Sequence, residues 1–115
     1  MHPWLHLIRL GNTLTALAGT VVGGLAARGA GLPTSSAFWL VLLLAALSTA
    51  CVTAGGNVVN DILDRESDRT NHPDRPLVTG TISVRAARTG AAALLVAGGL
   101  AIVPVALTAP LLVPI

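Results

Sequence analysis

Charge is scarce in this sequence. Charged residues make up 10% of its 115 positions, against about 25% in an ordinary soluble domain. Positions 10–27, 29–60 and 89–115 carry no formal charge at all. Each gap reaches or exceeds the roughly 18 apolar residues that mark a membrane-spanning helix. A soluble chain this short cannot bury three such segments, so a soluble fold is excluded. Aromatic residues are few: one Phe, two Trp and no Tyr. With no basic cluster interleaved with aromatics, the isoelectric point near 10.1 does not signal nucleic-acid binding. The single Cys51 rules out an internal disulfide and a Cys-based metal pattern, and in mid-span it reads as a small buried hydrophobe. Lysine is missing, all seven basic residues being Arg, and no function follows from that. Acidic residues are absent outside one stretch, residues 57–76, "NVVNDILDRESDRTNHPDRP".

What remains is apolar, with a mean hydropathy of +0.77, and divides into three spans. The expected fold is all-α, a polytopic transmembrane helix bundle. The first span is expected over 4–27. Further spans follow it rather than a polar domain, so it is not read as a cleavable signal. Thr15, Gly19, Gly23 and Ala27 recur every fourth residue, a small-residue stripe suited to close helix packing or to lining a substrate groove. "RGAGLPTSS" is a short loop, in which Pro33 and Thr34–Ser35–Ser36 form a helix-start signal. The second helix is expected over 36–68. It passes Gly55–Gly56, which loosen it without ending it, and meets no proline before Pro73. "HPDRPLVTGTIS" reads as a loop. The third span is expected over 83–103, after which Pro104, Pro110 and Pro114 kink or end it. Arg9, Arg65, Arg69, Arg75, Arg85 and Arg88 flank one side of these spans, and only Arg28 the other. The positive-inside rule then puts the N-terminus and the acidic segment in the cytoplasm. The chain ends within apolar sequence, and three spans enclose little, so it is expected to be the N-terminal portion of a larger protein.

The acidic segment is more ordered than a charge run. At about 100° per residue with Asn57 at zero, Asn60 falls near 300°, Asp61 near 40°, Asp64 near 340° and Asp68 near 20°. All five share one arc of roughly 100°, and Thr53, Thr49 and Ala45 continue that face into the span. Glu66 projects to the opposite side and Asp74 falls in the loop. Polar groups facing lipid are costly, so this face is expected to look into the bundle or a cavity. Carboxylates so close repel one another and need a counterion. Mg²⁺ prefers such oxygens and commonly bridges them to substrate phosphates, with the Asn57 and Asn60 carbonyls able to join. Arg65, Arg69 and Arg75 could instead neutralise the acids or clamp phosphate oxygens. The plainer alternative is a solvated helix end with i,i+4 pairs such as Asp61–Arg65. His2, His6 and His72 lack metal-ligand spacing and read as surface or interfacial residues.

"NDILDRESD", Asn60 to Asp68, resembles the N-D-x-x-D-x-x-x-D pattern of the UbiA superfamily of intramembrane prenyltransferases. "RTNHPDRPLVTGTIS" is similar to the loop that follows it there, and "RLGNTLTALAGTVVG" to the family's first helix. The likeness covers about residues 5–90. It implies one domain, in which residues 1–115 form the N-terminal part of a bundle of about nine helices. It also implies two Asp-rich motifs bridged by Mg²⁺ to the diphosphate of an isoprenoid donor, with the second motif beyond this chain. The 115 residues alone are therefore expected to be inactive. Carried over residue by residue, the metal ligands would be Asn60 and Asp64, then Asp68 and Asp61, with Asp61, Asp64 and Asp68 catalytic. Asn57, Arg65, Arg69, Arg75, Arg9 and Asn12 would contact the diphosphate. The implied partners are the isoprenoid diphosphate, a lipid or aromatic acceptor, membrane lipids and the remaining helices of the same protein, with no nucleic acid. "AGGNVVND" and the loop most resemble the archaeal lipid branch, in which a geranylgeranyl group passes to the hydroxyl of geranylgeranylglyceryl phosphate. Members that alkylate aromatic acids for quinone synthesis are the alternative, followed by haem O and chlorophyll synthases; "NDILD" stands where "NDYFD" is usual. A CDP-alcohol phosphotransferase would need an Asp-Gly-x-x-Ala-Arg start that this sequence lacks. A non-catalytic membrane scaffold has no need of the Asn/Asp face.

Overall fold

A computed structural model describes residues 1–31 and 36–108. Among them all regular structure is helical: α1 (Pro3–Leu7), α2 (Leu10–Gly29), α3 (Ser36–Leu63), α4 (Arg65–Asn71), α5 (Pro76–Thr79) and α6 (Val84–Thr108). Three of these, α2, α3 and α6, are long and apolar enough to cross a membrane. The Pro33–Ser35 start signal, Pro110 and Pro114 lie outside the described residues.

The first expected span is in fact two helices. The chain turns at Ile8–Arg9, where Arg9 takes the left-handed conformation (φ 50°, ψ 66°). It is the one non-glycine residue with positive φ among those described, and an L-residue with a long side chain is strained there. The second helix is nearly unbroken across Asp64. Asp64 N–H donates to the Asn60 carbonyl and Asp68 N–H to the Asp64 carbonyl, both at 2.8 Å, so α4 prolongs α3. It stops at Asn71 because the residue before Pro73 is driven out of helical geometry, and His72 has φ −141°. Pro76 opens α5 and Gly80, at φ 79°, closes it. Ser83 caps α6, its Oγ accepting from Ala86 N–H at 3.1 Å. Pro104 does not end α6, which continues to Thr108. A helix in an apolar medium keeps its other backbone bonds even where one donor is lost.

α3 and α6 pack antiparallel along a seam of small residues. Ser48 Oγ donates to the Gly98 carbonyl at 2.8 Å. A Cβ at Gly98 would stand 2.8 Å from Val52 Cγ2 and 3.1 Å from the Ser48 carbonyl oxygen. At Gly55 it would meet the Leu95 side chain at 2.9 Å. On its other side α3 meets α2, where Thr20 Oγ1 donates to Thr49 Oγ1 at 3.0 Å and Gly24 closes on Leu42. The small-residue stripe of the first span points elsewhere: Gly19 and Gly23 have nothing within 4 Å of where a Cβ would be. At the far end of the pair Arg28 lies over the Trp39 ring, 5.0 Å from its centroid. Cys51 is half-buried rather than buried. The core sits at the opposite end, around the acidic segment: Leu7, Val58, Leu77, Ile82, Ala87 and Ala91, with Trp4 packed against them. It gathers α1, α3, α5 and α6 at the level where the carboxylates emerge.

The seam yields a graded test. Gly98→Ala should lower stability by about 1–3 kcal/mol, because the new methyl meets backbone and a β-branched side chain. Gly55→Ala should cost less, since the Leu95 side chain it meets can turn aside and its nearest backbone atom, the Ala91 carbonyl oxygen, stands farther off at 3.3 Å. Reversible unfolding in detergent measures both, and an equal or inverted order would refute the packing described.

Candidate active site

The break at Arg9 leaves the Ile8 carbonyl without a helical partner, and buried backbone acceptors must be satisfied. Two side chains do this. Asn57 Nδ2 donates to the Ile8 oxygen at 2.9 Å and Thr13 Oγ1 at 2.8 Å. Asn57 Oδ1 in turn accepts from Asn12 Nδ2 at 3.2 Å. Asn57 is buried, with both ends of its amide engaged in fixing the start of α2.

One turn on, Asp61 is 3% exposed. Its Oδ1 accepts from Arg9 Nη2 at 2.7 Å and from Arg75 Nη1 at 3.3 Å. The same Arg75 Nη1 donates to Asp68 Oδ2 in a short ion pair, and Asp68 is also buried. Two carboxylates and two guanidiniums thus form a neutral quartet drawn from the start of α2, the end of α3, α4 and the loop before α5. The sequence offered Asp61–Arg65 as the plain i,i+4 pair. Arg65 instead donates from Nε to the Leu77 carbonyl at 3.0 Å, tying α4 to α5. Among the described residues Arg69 meets only Glu66, at 3.7 Å with both side chains largely in the open, which contributes little.

Asn60 and Asp64 are different. Both are exposed, and among the described residues Asp64 makes no ion pair. They stand one helical turn apart on the face beside the quartet. Of the ten residues proposed from the sequence, the fold therefore joins Arg9, Asp61, Asp68 and Arg75 in one cluster. Asn12 and Asn57 form another next to it, Asn60 and Asp64 stay open, and Arg65 and Arg69 turn to other partners. A cavity of about 350 Å³ lies against the clusters, lined by Arg9, Asn12, Asp61 and Arg75 together with Met1, Leu5, His6, Leu10, Gly11, His72 and Asp74. The roles of Ile8, Thr13 and the Leu77 carbonyl had no sequence signal. His6 and His72 were read as surface residues, and nothing in their spacing pointed to this cavity.

Asn60 and Asp64 present the hard oxygen donors that suit a divalent cation such as Mg²⁺. They are two ligands, and among the described residues no group of three or more His, Cys, Asp or Glu is placed to hold a metal. The donors fit the ion and the set is partial.

These features define a class: a multi-pass, all-helical membrane protein with an oxygen- and guanidinium-rich site where its second span leaves the apolar layer. The profile of the UbiA prenyltransferase family matches residues 14–115, and the chain belongs to that family. It is 44% identical over 99 residues to the digeranylgeranylglyceryl phosphate synthase of Methanoculleus marisnigri, covering 86% of this chain and 33% of the relative. It is 41% identical over 91 residues to the enzyme of the same name from Metallosphaera sedula, covering 76% and 29%. The enzyme of that name from Saccharolobus solfataricus is 37% identical over 101 residues, covering 85% and 33%. The chain spans about a third of the length of these curated relatives. No solved structure matches it.

The quartet predicts a large effect at its hub. Arg75→Met would leave Asp61 with Arg9 alone and Asp68 buried without an ion-pair partner among the described residues. Removing one partner of a buried ionic network costs about 3–5 kcal/mol. A thermal unfolding midpoint unchanged from wild type would show that Arg75 does not hold the two carboxylates.

Proposed function

We propose that the chain contributes the first half of the metal–diphosphate site of a prenyltransferase. The reaction is transfer of a geranylgeranyl group from its diphosphate to the free hydroxyl of geranylgeranylglyceryl phosphate. The observation that carries this reading is the contrast within one motif: Asp61 and Asp68 are buried and neutralised by arginines, while Asn60 and Asp64 beside them stay exposed, with no side-chain ion pair among the described residues. The relatives named above support the choice of acceptor, since all three are named digeranylgeranylglyceryl phosphate synthase.

The chemistry follows from the residues. The bond between the allylic carbon and the diphosphate oxygen breaks, and its electron pair leaves with the diphosphate. The acceptor hydroxyl oxygen bonds to the allylic carbon and gives up its proton to the departing diphosphate, forming an ether. Mg²⁺ held by Asn60 and Asp64, when bound, supplies positive charge to the departing diphosphate. Arg9 and Arg75 place two more fixed positive groups at the neighbouring cavity, where they stabilise developing negative charge without reorganising. The apolar faces of α2 and α3 suit the isoprenoid tail and keep water from the allylic cation. The arginine distribution supports a cytoplasmic site: Arg9, Arg65, Arg69, Arg75, Arg85 and Arg88 gather at this end of the helices, and Arg28 alone at the other.

The test is Asp64→Asn in the full-length protein, assayed with Mg²⁺, geranylgeranyl diphosphate and geranylgeranylglyceryl phosphate. Transfer should fall by at least about 100-fold. Undiminished transfer would remove Asp64 from the site. Wild-type transfer to an aromatic acid in place of the lipid acceptor would overturn the acceptor assigned.

A further inference from the structure

We infer that Asp61 is a positioning residue for Arg9 and Arg75 rather than a metal ligand: it aims their guanidiniums at the cavity where the donor diphosphate sits. The inference deepens the function proposed above and rests on it.

Arg9 is in an unusual position. Its backbone is left-handed, a conformation that long side chains avoid and that persists only where surrounding contacts impose it. Those contacts are all present. Asn57 and Thr13 hold the carbonyl just before it, and Asp61 takes its side chain at 2.7 Å. The side chain is nevertheless 40% exposed and lines the cavity. Among the described residues its guanidinium is held by Asp61 alone, the state of a side chain held ready for an anion. A guanidinium carries five N–H donors in a rigid fork, so one carboxylate oxygen leaves most of them available.

Asp61 is the wrong group for a metal by the same geometry. Its Oδ1 already accepts from two guanidiniums, and it is nearly inaccessible. A divalent cation on the remaining oxygen, Oδ2, would sit beside two guanidinium charges and reach a side chain that is only 3% exposed. Asp64, one turn away, has neither obstacle. The two neighbouring aspartates therefore divide the labour, Asp64 toward the metal and Asp61 toward the arginines. Arg9 reaches Asp61 across 52 positions of sequence, which makes the first span part of the diphosphate site.

The experiment uses the full-length protein and compares Asp61→Asn, Arg9→Ala, the double variant and Asp64→Asn. Both single variants at the Arg9–Asp61 pair should raise the KM for the isoprenoid diphosphate about 10-fold or more, the worth of one charge-assisted hydrogen bond. They should leave the half-saturating Mg²⁺ concentration within about twofold of wild type. The double variant should add little to Asp61→Asn alone, because Arg9 has already lost its anchor once Asp61 is changed. Asp64→Asn should shift the Mg²⁺ requirement. If Asp61→Asn shifts it as Asp64→Asn does, or if Arg9→Ala leaves the donor KM unchanged, the inference is overturned. Arg9→Ala keeps Asp61 paired with Arg75, so it decides the matter even if Asp61→Asn fails to fold. Absence of prenyl transfer by the wild type would fail the functional reading separately. Calorimetric binding of inorganic diphosphate with Mg²⁺ would then decide: weaker binding by Arg9→Ala upholds the positioning role, and equal binding overturns it.

Discussion

The structure depends on one electrostatic constraint. An apolar helix carries three carboxylates on a single face as it leaves the membrane, and two of them, Asp61 and Asp68, are buried there. Buried carboxylates persist only with partners. Arg75 spans both, and Arg9 completes the set. Satisfying that constraint brings the start of the first membrane helix onto the end of the second and folds the loop back across α4. The left-handed turn at Arg9, the Asn57 amide bridge and the Arg65 link to Leu77 all belong to this one junction. The neighbouring apolar core, from Leu7 through Val58, Leu77 and Ala87, encloses it.

The rest of the fold is held by close approach. α3 and α6 meet through Gly98, Gly55 and Ser48, because membrane helices gain little from hydrophobic burial and associate by packing and interhelical hydrogen bonds. The outer faces stay apolar and open: Leu43, Leu47, Val96 and Leu100 are exposed, and only 6% of the apolar window of α2 is buried.

Much of this was legible in the sequence. The uncharged gaps gave the spans, and the 3.6-residue period put Asn57, Asn60, Asp61, Asp64 and Asp68 on one face. The stretch punctuated by Pro73, Pro76 and Gly80 reads as a loop, and within it the structure forms the short helix α5. What stayed hidden is tertiary. Helical spacing offers Asp61 a partner in Arg65, four residues on, yet the real partners lie 52 and 14 positions away. No local preference announces a helix break at an arginine, since glycine and asparagine are the usual residues at positive φ. Pro104 reads as a terminator by local rules, and α6 runs through it. The small-residue stripe of the first span was regular yet meets nothing at Gly19 and Gly23, while the close packing forms at Gly98 and Gly55, which no such pattern singled out.

The central claim is that one motif serves two purposes, Asn60 and Asp64 for the metal and Asp61 and Asp68 for the arginines. The most direct measurement is a structure of the full-length protein with Mg²⁺ and an unreactive isoprenoid diphosphate analogue. The account predicts the ion at about 2.0–2.1 Å from oxygens of Asn60 and Asp64, with Arg9 still on Asp61 and reaching the diphosphate. An ion coordinated by Asp61, with Arg9 turned away from the diphosphate, would contradict it.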